Sequence, residues 1–509
     1  MKLQTIALVM LLSVAAFAQV PSLVQVHDCS EMWGDYPVQG SAIAIYRSST
    51  AECRLPVGAK AGNTIVVGFT DDNANSGQTV GDDKSDSYTC ASFADTTNGE
   101  KIFLCYATNV TADAQHITIN LGSSGTPYVN PWVAEFTNVA NVAADCTHGH
   151  NASGTSVTAG SCTPSASGDL VVQSFWNDYG VQVTGITAGS QSNITWSLLV
   201  ADRATGVGAQ WGVYNSTSAL NATMSITAAT AGSVSEAIFL KAGSSGSVPS
   251  GIRVVAAKDM WMNNSGASSA PFTSGTRTEQ FPCPSTANLM YLAWIGGPVA
   301  SLTSVTDSHS QTWTATGAGV LNDSYSRSFY QAAATVSTDQ TVTVTASLGS
   351  GAGADGTPKL YCVIGAATAP FDQTQTATGN QTVAGSTLTT VSITPSAASG
   401  VIFVSAGNAF NTLSGLTGTG QWFHSGFSTG EIASNLALNG VDQNNGWGMI
   451  IPPDTSSITF TWNNYLTSTA DGQWVARADS FLAPAATGKC AACDLSRLSL
   501  PTMKHVGMR

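Results

Sequence analysis

Two clusters of oxygen-bearing side chains stand out for the chemistry they could do. Asp71-Asp72-Asn73 and Asp82-Asp83, with Asp86 close behind, put hard oxygen ligands on both sides of one hairpin-like connection. That arrangement suits Ca²⁺, so Asp71, Asp72, Asp82 and Asp83 are the candidate metal ligands, and calcium is the one cofactor this sequence suggests. A solvated acidic loop is the alternative, and the matching stretch later in the chain keeps only Asp307. Aromatic rings beside amides form the second cluster: Phe175-Trp176-Asn177-Asp178-Tyr179 and Trp462-Asn463-Asn464-Tyr465. Sugar rings stack on aromatic faces while amides and carboxylates bond their hydroxyls. In loop settings, Trp176, Asn177, Asp178, Tyr179, Trp462, Asn463 and Tyr465 would therefore form ligand-binding platforms.

Catalytic signatures are scarce. Glu135 lies in the strand-like run Trp132-Val133-Ala134-Glu135-Phe136, but no second carboxylate is clearly placed to make a glycosidase pair. His148-Gly149-His150 falls in what reads as a polar surface loop, with Asp145 and Cys146 beside it. Cys490-Ala-Ala-Cys493 is followed by Asp494, where a haem-attachment site needs His, and no second CxxC completes a zinc site. No GxSxG, HExxH or P-loop is present. No residue is assigned a catalytic role.

The elements that must position these residues are set by a duplication. Val20-Pro21-Ser22 through Glu31-Met32-Trp33 recurs without a gap as Val248-Pro249-Ser250 through Asp259-Met260-Trp261, 228 residues on. That period is too long for a solenoid or propeller repeat and matches a whole all-β domain. Thr163-Pro164-Ser165 recurs as Thr394-Pro395-Ser396, Trp196 as Trp422, and Trp211-Gly212 as Trp447-Gly448. For these tryptophans, core packing is the stronger expectation. Short runs with period-two alternation, split by Asn, Gly and Asp, predict strands throughout, and no window holds a 3.6-residue apolar period. The expected fold is all-β: two tandem jelly-roll-like β-sandwiches, 19–243 and 248–484. Gly243-Ser244-Ser245-Gly246-Ser247 reads as a short flexible linker spanning the boundary, with 244–247 between the copies. A basic, CxxC-containing tail fills 485–509.

Residues 1–18 have the form of a secretory signal: Met1-Lys2, an uncharged apolar run, then Ala16-Phe17-Ala18. No later run is long and apolar enough to predict a membrane helix. Charged residues make up 10% of the chain, against about 25% in ordinary soluble domains. The formal net charge is −13, and the body is more acidic still, because Lys2 and the tail carry cations out of it. Phosphates would be repelled, which speaks against nucleic acid as partner. Ten cysteines suggest an oxidising compartment. From proximity along the chain, the expected pairs are Cys90 with Cys105, Cys146 with Cys162, Cys29 with Cys53, and Cys283 with Cys362.

Ser304-Val305-Thr306-Asp307-Ser308-His309-Ser310-Gln311-Thr312-Trp313 and Cys105-Tyr106-Ala107-Thr108-Asn109-Val110 resemble the "VTDSxGNxW … YYAxNV" pattern of modules repeated in large secreted proteins of environmental bacteria. Those modules resemble lectin-like or carbohydrate-binding β-sandwiches, and the resemblance implies an extracellular binding or structural module with no catalytic residue to carry over. The expectation is a secreted, non-enzymatic binding or adhesion protein that recognises an extracellular glycan or cell-surface component. A structural surface-layer or fibre subunit, with self-association, is one alternative. A polysaccharide-active enzyme on a jelly-roll scaffold is the other.

Overall fold

The computed structural model describes residues 19–30, 50–71, 77–95, 99–122, 129–177, 183–227, 232–260, 262–263, 272–273, 275–297, 300–322, 324–332, 340–348, 355–381, 388–408, 412–419, 436–438, 441–452, 454–465 and 472–484. For some strand residues, Trp462 to Tyr465 among them, it describes the backbone alone. The signal-like segment, the tail with Cys490 and Cys493, and Asp72, Asp178 and Tyr179 lie outside the described residues.

Every element named here is a strand, as the alternating pattern predicts. The first unit runs β1 (Ser22–Asp28), β2 (Thr50–Arg54), β3 (Thr64–Asp71), β4 (Thr79–Asp82), β5 (Thr89–Ala94), β6 (Lys101–Ala107), β7 (His116–Asn120) and β8 (Trp132–Thr137). The second comprises β9 (Cys146–Ser153), β10 (Ser156–Cys162), β11 (Asp169–Asn177), β12 (Gly185–Thr187), β13 (Ser197–Asp202), β14 (Val207–Tyr214), β15 (Leu220–Thr227) and β16 (Gly232–Leu240). The third holds β17 (Arg253–Asp259), the short β18 (Met262–Asn263) and β19 (Phe272–Thr273), then β20 (Thr276–Gln280), β21 (Leu289–Gly296), β22 (Ala300–Asp307), β23 (Thr314–Ala315), β24 (Val320–Leu321), β25 (Tyr325–Ala332), β26 (Thr341–Leu348) and β27 (Asp355–Ile364). The fourth closes with β28 (Phe371–Gln381), β29 (Leu388–Ile393), β30 (Val401–Asn408), β31 (Thr412–Thr419), β32 (Leu436–Leu438), β33 (Val441–Ile450), β34 (Ile458–Tyr465) and β35 (Gly472–Phe481).

One connectivity occurs in all four. In the first unit, β1-β8-β3-β6-β5 form one sheet and β2-β7-β4 the other. The second repeats it as β9-β16-β11-β14-β13 with β10-β15-β12, and the fourth as β28-β35-β30-β33-β32 with β29-β34-β31. In the third, β17-β27-β21-β25-β23 faces β20-β26-β22, extended by β19. In each unit the first strand pairs with the last, and the strands divide between two sheets in the manner of a β-sandwich. Each 228-residue repeat thus carries two such strand units where the sequence suggested one domain of about a dozen strands. The shortfall lay in β2, β4, β9, β10 and β12, short or polar strands that no apolar run marks.

The first and third units share a sheet. β1 and β17, the duplicated strands, pair in parallel with Val26 opposite Ala256 and Asp28 opposite Lys258. The strand order reads alike outward from this junction on both sides. Burial follows from stacking. One face of the first unit's five-stranded sheet covers that unit's interior (Ile65, Val67, Phe69, Ile117). Its other face (Val66, Leu104, Trp132) meets Val172 and Ile238 of the second unit, in a cluster that continues to Leu292 and Val344 of the third. The third and fourth units pack likewise through Tyr291 and Phe403, stacked at 4.4 Å. Strands covered on both faces become continuous apolar runs: β3 and β11 are buried along their whole length. The smaller sheets keep one wet face, and β15 alternates strictly between buried and open positions.

The expected flexible linker is held in place. Gly243 N–H donates to the Asn138 carbonyl, Asn138 N–H to the Ser245 carbonyl at 2.8 Å, and Ser247 N–H to Asn63 Oδ1 at 2.9 Å. Gly246 takes φ 80° and lies so close to Asn63 that a side chain there would collide. The Gly/Ser composition that suggested flexibility serves close approach instead.

All four expected disulfides form. Cys146–Cys162 joins β9 to β10 across the sandwich, Cys29–Cys53 ties the residue after β1 to β2, and Cys283–Cys362 ties the β20–β21 connection to β27, whereas Cys90 and Cys105 are directly opposed on neighbouring strands. Four disulfides belong to an oxidising, non-cytoplasmic compartment. Among the described residues, no helix is long and apolar enough to cross a membrane.

Candidate functional site

The stretch from Ser304 to Trp313 folds as a clamp. After β22, Asp307 Oδ1 accepts the backbone N–H groups of His309 at 2.8 Å and Gln311 at 3.3 Å. Asp307 Oδ2 accepts Trp313 Nε1 at 2.8 Å and Gln331 Nε2 at 2.6 Å. After β4 the arrangement recurs: Asp82 Oδ1 accepts Lys84 and Asp86 N–H at 2.9 and 3.0 Å, and Oδ2 accepts the Tyr88 hydroxyl at 3.0 Å. Ser85 and Ser310, three residues before the aromatic, both take left-handed φ, 63° and 54°. The second unit has a variant in which Gln191 accepts Trp196 Nε1 and Asn193 takes φ 64°. A short polar side chain tolerates that conformation, and the Asx-type bonds fix the turn. Trp196 and Trp447 are buried, and Trp211 lies edge-on to Phe136 at 5.5 Å, all packing roles. Trp422 lies outside the described residues.

These bonds account for most of the acids expected to hold calcium. Asp82 spends its lone pairs on the loop. Asp83 Oδ1 accepts Gln115 and His116 N–H, and its other oxygen lies 3.6 Å from Lys84. Asp71 is buried at the end of β3 and accepts Gln78 Nε2 at 2.6 Å. Among the described residues these acids do not gather into a group of three with ligand atoms within 4.8 Å of one another. His27, Cys29 and Cys53 do, but both sulfurs are joined in a disulfide, so no thiolate is left to bind metal.

The aromatic platforms are placed differently from the expectation. Trp176 and Asn177 lie in β11, not in a loop, and both are buried, Trp176 at 2% exposure. Asn177 accepts the Ser233 hydroxyl. Trp462, Asn463 and Tyr465 are also strand residues, at the end of β34. In both cases amides after an aromatic read as turn residues, while ladder pairing carries the strand through them. His148 and His150 belong to β9, and their Nδ1 atoms meet the Ala159 carbonyl and the Thr158 hydroxyl. Glu135 is buried and accepts from Lys60 N–H, Asn63 Nδ2 and Gln25 Nε2. Burial pushes its carboxyl up and these three donors oppose the rise.

Sequence reasoning missed the charged groups at the β1/β17 junction. Successive strand residues point to opposite faces, so each face gets its own set. On one face Asp259 lies 3.0 Å from His27 Nε2 and 2.8 Å from Lys359 Nζ. His27 Nδ1 meets the Arg54 carbonyl. His27 thus has an oxygen facing each ring nitrogen. On the other face Lys258 Nζ bridges Asp28 at 2.8 Å and Asp202 at 3.0 Å. Burial opposes ionisation of Asp259 and Asp202, yet Lys359 with His27, and Lys258 with Arg277, hold them below the usual range. Asp28, which shares its lysine, is pushed up by burial. The signal was there to read: an apolar strand ending in a charged pair at both copies, His27-Asp28 and Lys258-Asp259. In a chain this poor in charge, fully buried ions join the halves of one sheet.

Comparison with protein-family models and with curated proteins gives no match.

Proposed function

We propose that this protein acts outside the cytoplasm as a non-catalytic binding or adhesion protein, and that its ligand is a neutral extracellular polysaccharide. The observation that supports this reading is the open face of the smaller sheets. Thr50, Asn120 and Thr79 lie side by side across β2, β7 and β4, all exposed. Ser156, Ser225 and Thr187 do the same across β10, β15 and β12. On the third unit two rows follow one another, Thr276-Thr345-Ser304 and Thr278-Thr343-Thr306. Such rows offer donors and acceptors at strand spacing with little charge, the chemistry that matches a flat chain of sugar hydroxyls. Trp462 and Tyr465 stay in the proposal as stacking residues, whereas Trp176 is enclosed. The continuous sheet through β1 and β17 favours a second reading, a surface-layer or fibre subunit.

A glycan array probed with the mature protein tests the proposal. Binding to one class of neutral glycan is expected, and replacing Trp462 and Tyr465 by Ala should weaken it several-fold through lost stacking of about 1 kcal/mol per ring. Thr276→Val with Thr345→Val removes hydroxyls at constant shape and should also weaken it. Parent-like binding by both variants would discard these faces, and an array without signal would leave the structural reading.

A further inference from the structure

Glu236 lies on β16 in the seam between the first two units. It stands opposite Ser174 of β11 and Gly149 of β9, and it is 2% exposed. The face it shares is apolar: Leu170, Val172, Trp176, Ile238 and Leu240 meet Ile102, Leu104 and Trp132 of the first unit. Phe93 of the edge strand β5 reaches into the same spot. A methyl group at Gly149 would lie 2.2 Å from Phe93 Cβ and 2.5 Å from Glu236 Oε2, so only glycine leaves room for the ring and the carboxyl together. No hydrogen bond or ion pair reaches Glu236 among the described residues, and burial alone accounts for its shifted proton affinity. The Trp176 indole N–H, diagonal to it across the ladder, is also without a partner.

The charged and titratable neighbours do not compensate it. Just past β5, Asp95 accepts Asn151 Nδ2 at 2.5 Å. From β6, Tyr106 faces the seam with its hydroxyl taken by the Ala144 N–H. On β9, His148 and His150 turn the other way, toward β10. On β11, Asp169 lies on the opposite face by alternation.

We propose that the contact between the first and second units is a pH-controlled seam, closed while Glu236 keeps its proton and loosened when it ionises. A carboxylate without a cation or donors is costly to bury, and the seam is what opens to hydrate it. Burial raises the Glu236 carboxyl to about 8, whereas an opened seam returns it to the ordinary glutamate range. The closed form therefore holds a proton that the open form releases, and rising pH favours opening by about tenfold per pH unit across that interval. Above the closed-state value both forms are ionised, and the effect levels off.

Hydrogen exchange of the intact protein, corrected for intrinsic exchange rates, reads this directly in β5, β9 and β16. Opening should grow about tenfold per pH unit up to about pH 8 and then flatten, and E236Q should remove that dependence and protect the same strands. Identical pH courses for parent and E236Q would overturn the proposal. Should E236Q fail to fold, carboxyl NMR of the glutamate-labelled parent, with the Glu236 and Glu135 resonances assigned separately, decides: Glu236 titrating near pH 8 is expected, and Glu236 titrating in the ordinary range would sink the seam.

Discussion

At the scale of single residues, carboxylates in this protein act on folding. Asp307 gathers two backbone and two side-chain donors, and Asp307→Ala strands them. Urea unfolding should show a loss of about 1–3 kcal/mol, and Asp82→Ala should lose a similar amount. Asp145 and Asp169 make a second case. Asp145 accepts both the N–H and the hydroxyl of Ser165 and pairs with Lys241 at 3.0 Å, and Asp372 and Ser396 repeat its backbone bond in the fourth unit. Asp169 is the addition. Burial and the neighbouring Asp145 raise it to about 6, with Lys241 opposing. Because the folded state keeps this proton after the unfolded chain has released it, the contribution is complete below the ordinary aspartate range and is lost as pH rises through about 6. Asp169→Asn should therefore stabilise by about 1–2 kcal/mol at pH 7 and by little at pH 4. Thermal unfolding at the two pH values checks the sign.

At the scale of elements, the junction of β1 and β17 makes the clearest demand. Removing the cation by Lys258→Met leaves Asp28 and Asp202 buried without the lysine they share, which should cost about 3–5 kcal/mol. Neutralising the acids as well, with Asp28→Asn and Asp202→Asn, should restore most of that loss. Equal stability of the single and triple variants would deny the pairing its role. These elements also mark what the sequence made legible. Strands β3, β8, β11 and β16 stood out as apolar runs because they are covered on both faces, and the four disulfides followed from proximity of the cysteines along the chain. The placement of Trp176 did not follow, since nothing local distinguishes an aromatic that ends a buried strand from one that opens a loop. The acids of the clamp were visible as acids, but their partners are backbone N–H groups, which no pattern of side chains discloses. The ion pairs at the junction join residues about 230 positions apart, so only the duplication could hint at them.

For the whole molecule, the two sequence copies meet along one strand pair. The parallel pair β1/β17 makes one sheet of both copies, and one apolar cluster runs from Val26 through Val172 to Leu360. Separating 19–243 from 248–484 would bare that cluster and leave His27, Asp28, Lys258 and Asp259 without their partners across the junction. Exposed apolar area of this kind costs about 25 cal/mol per Å², and unpaired buried ions add to it. Each half expressed alone should therefore bind a hydrophobic dye, self-associate and lack a sharp thermal transition, and mixing the two should recover one. Proteases should spare 243–247 in the intact chain, because Asn63 and Asn138 hold that strap along its length. A half that stays monomeric, melts sharply and binds no dye would show that the shared sheet is an incidental contact between two self-sufficient domains.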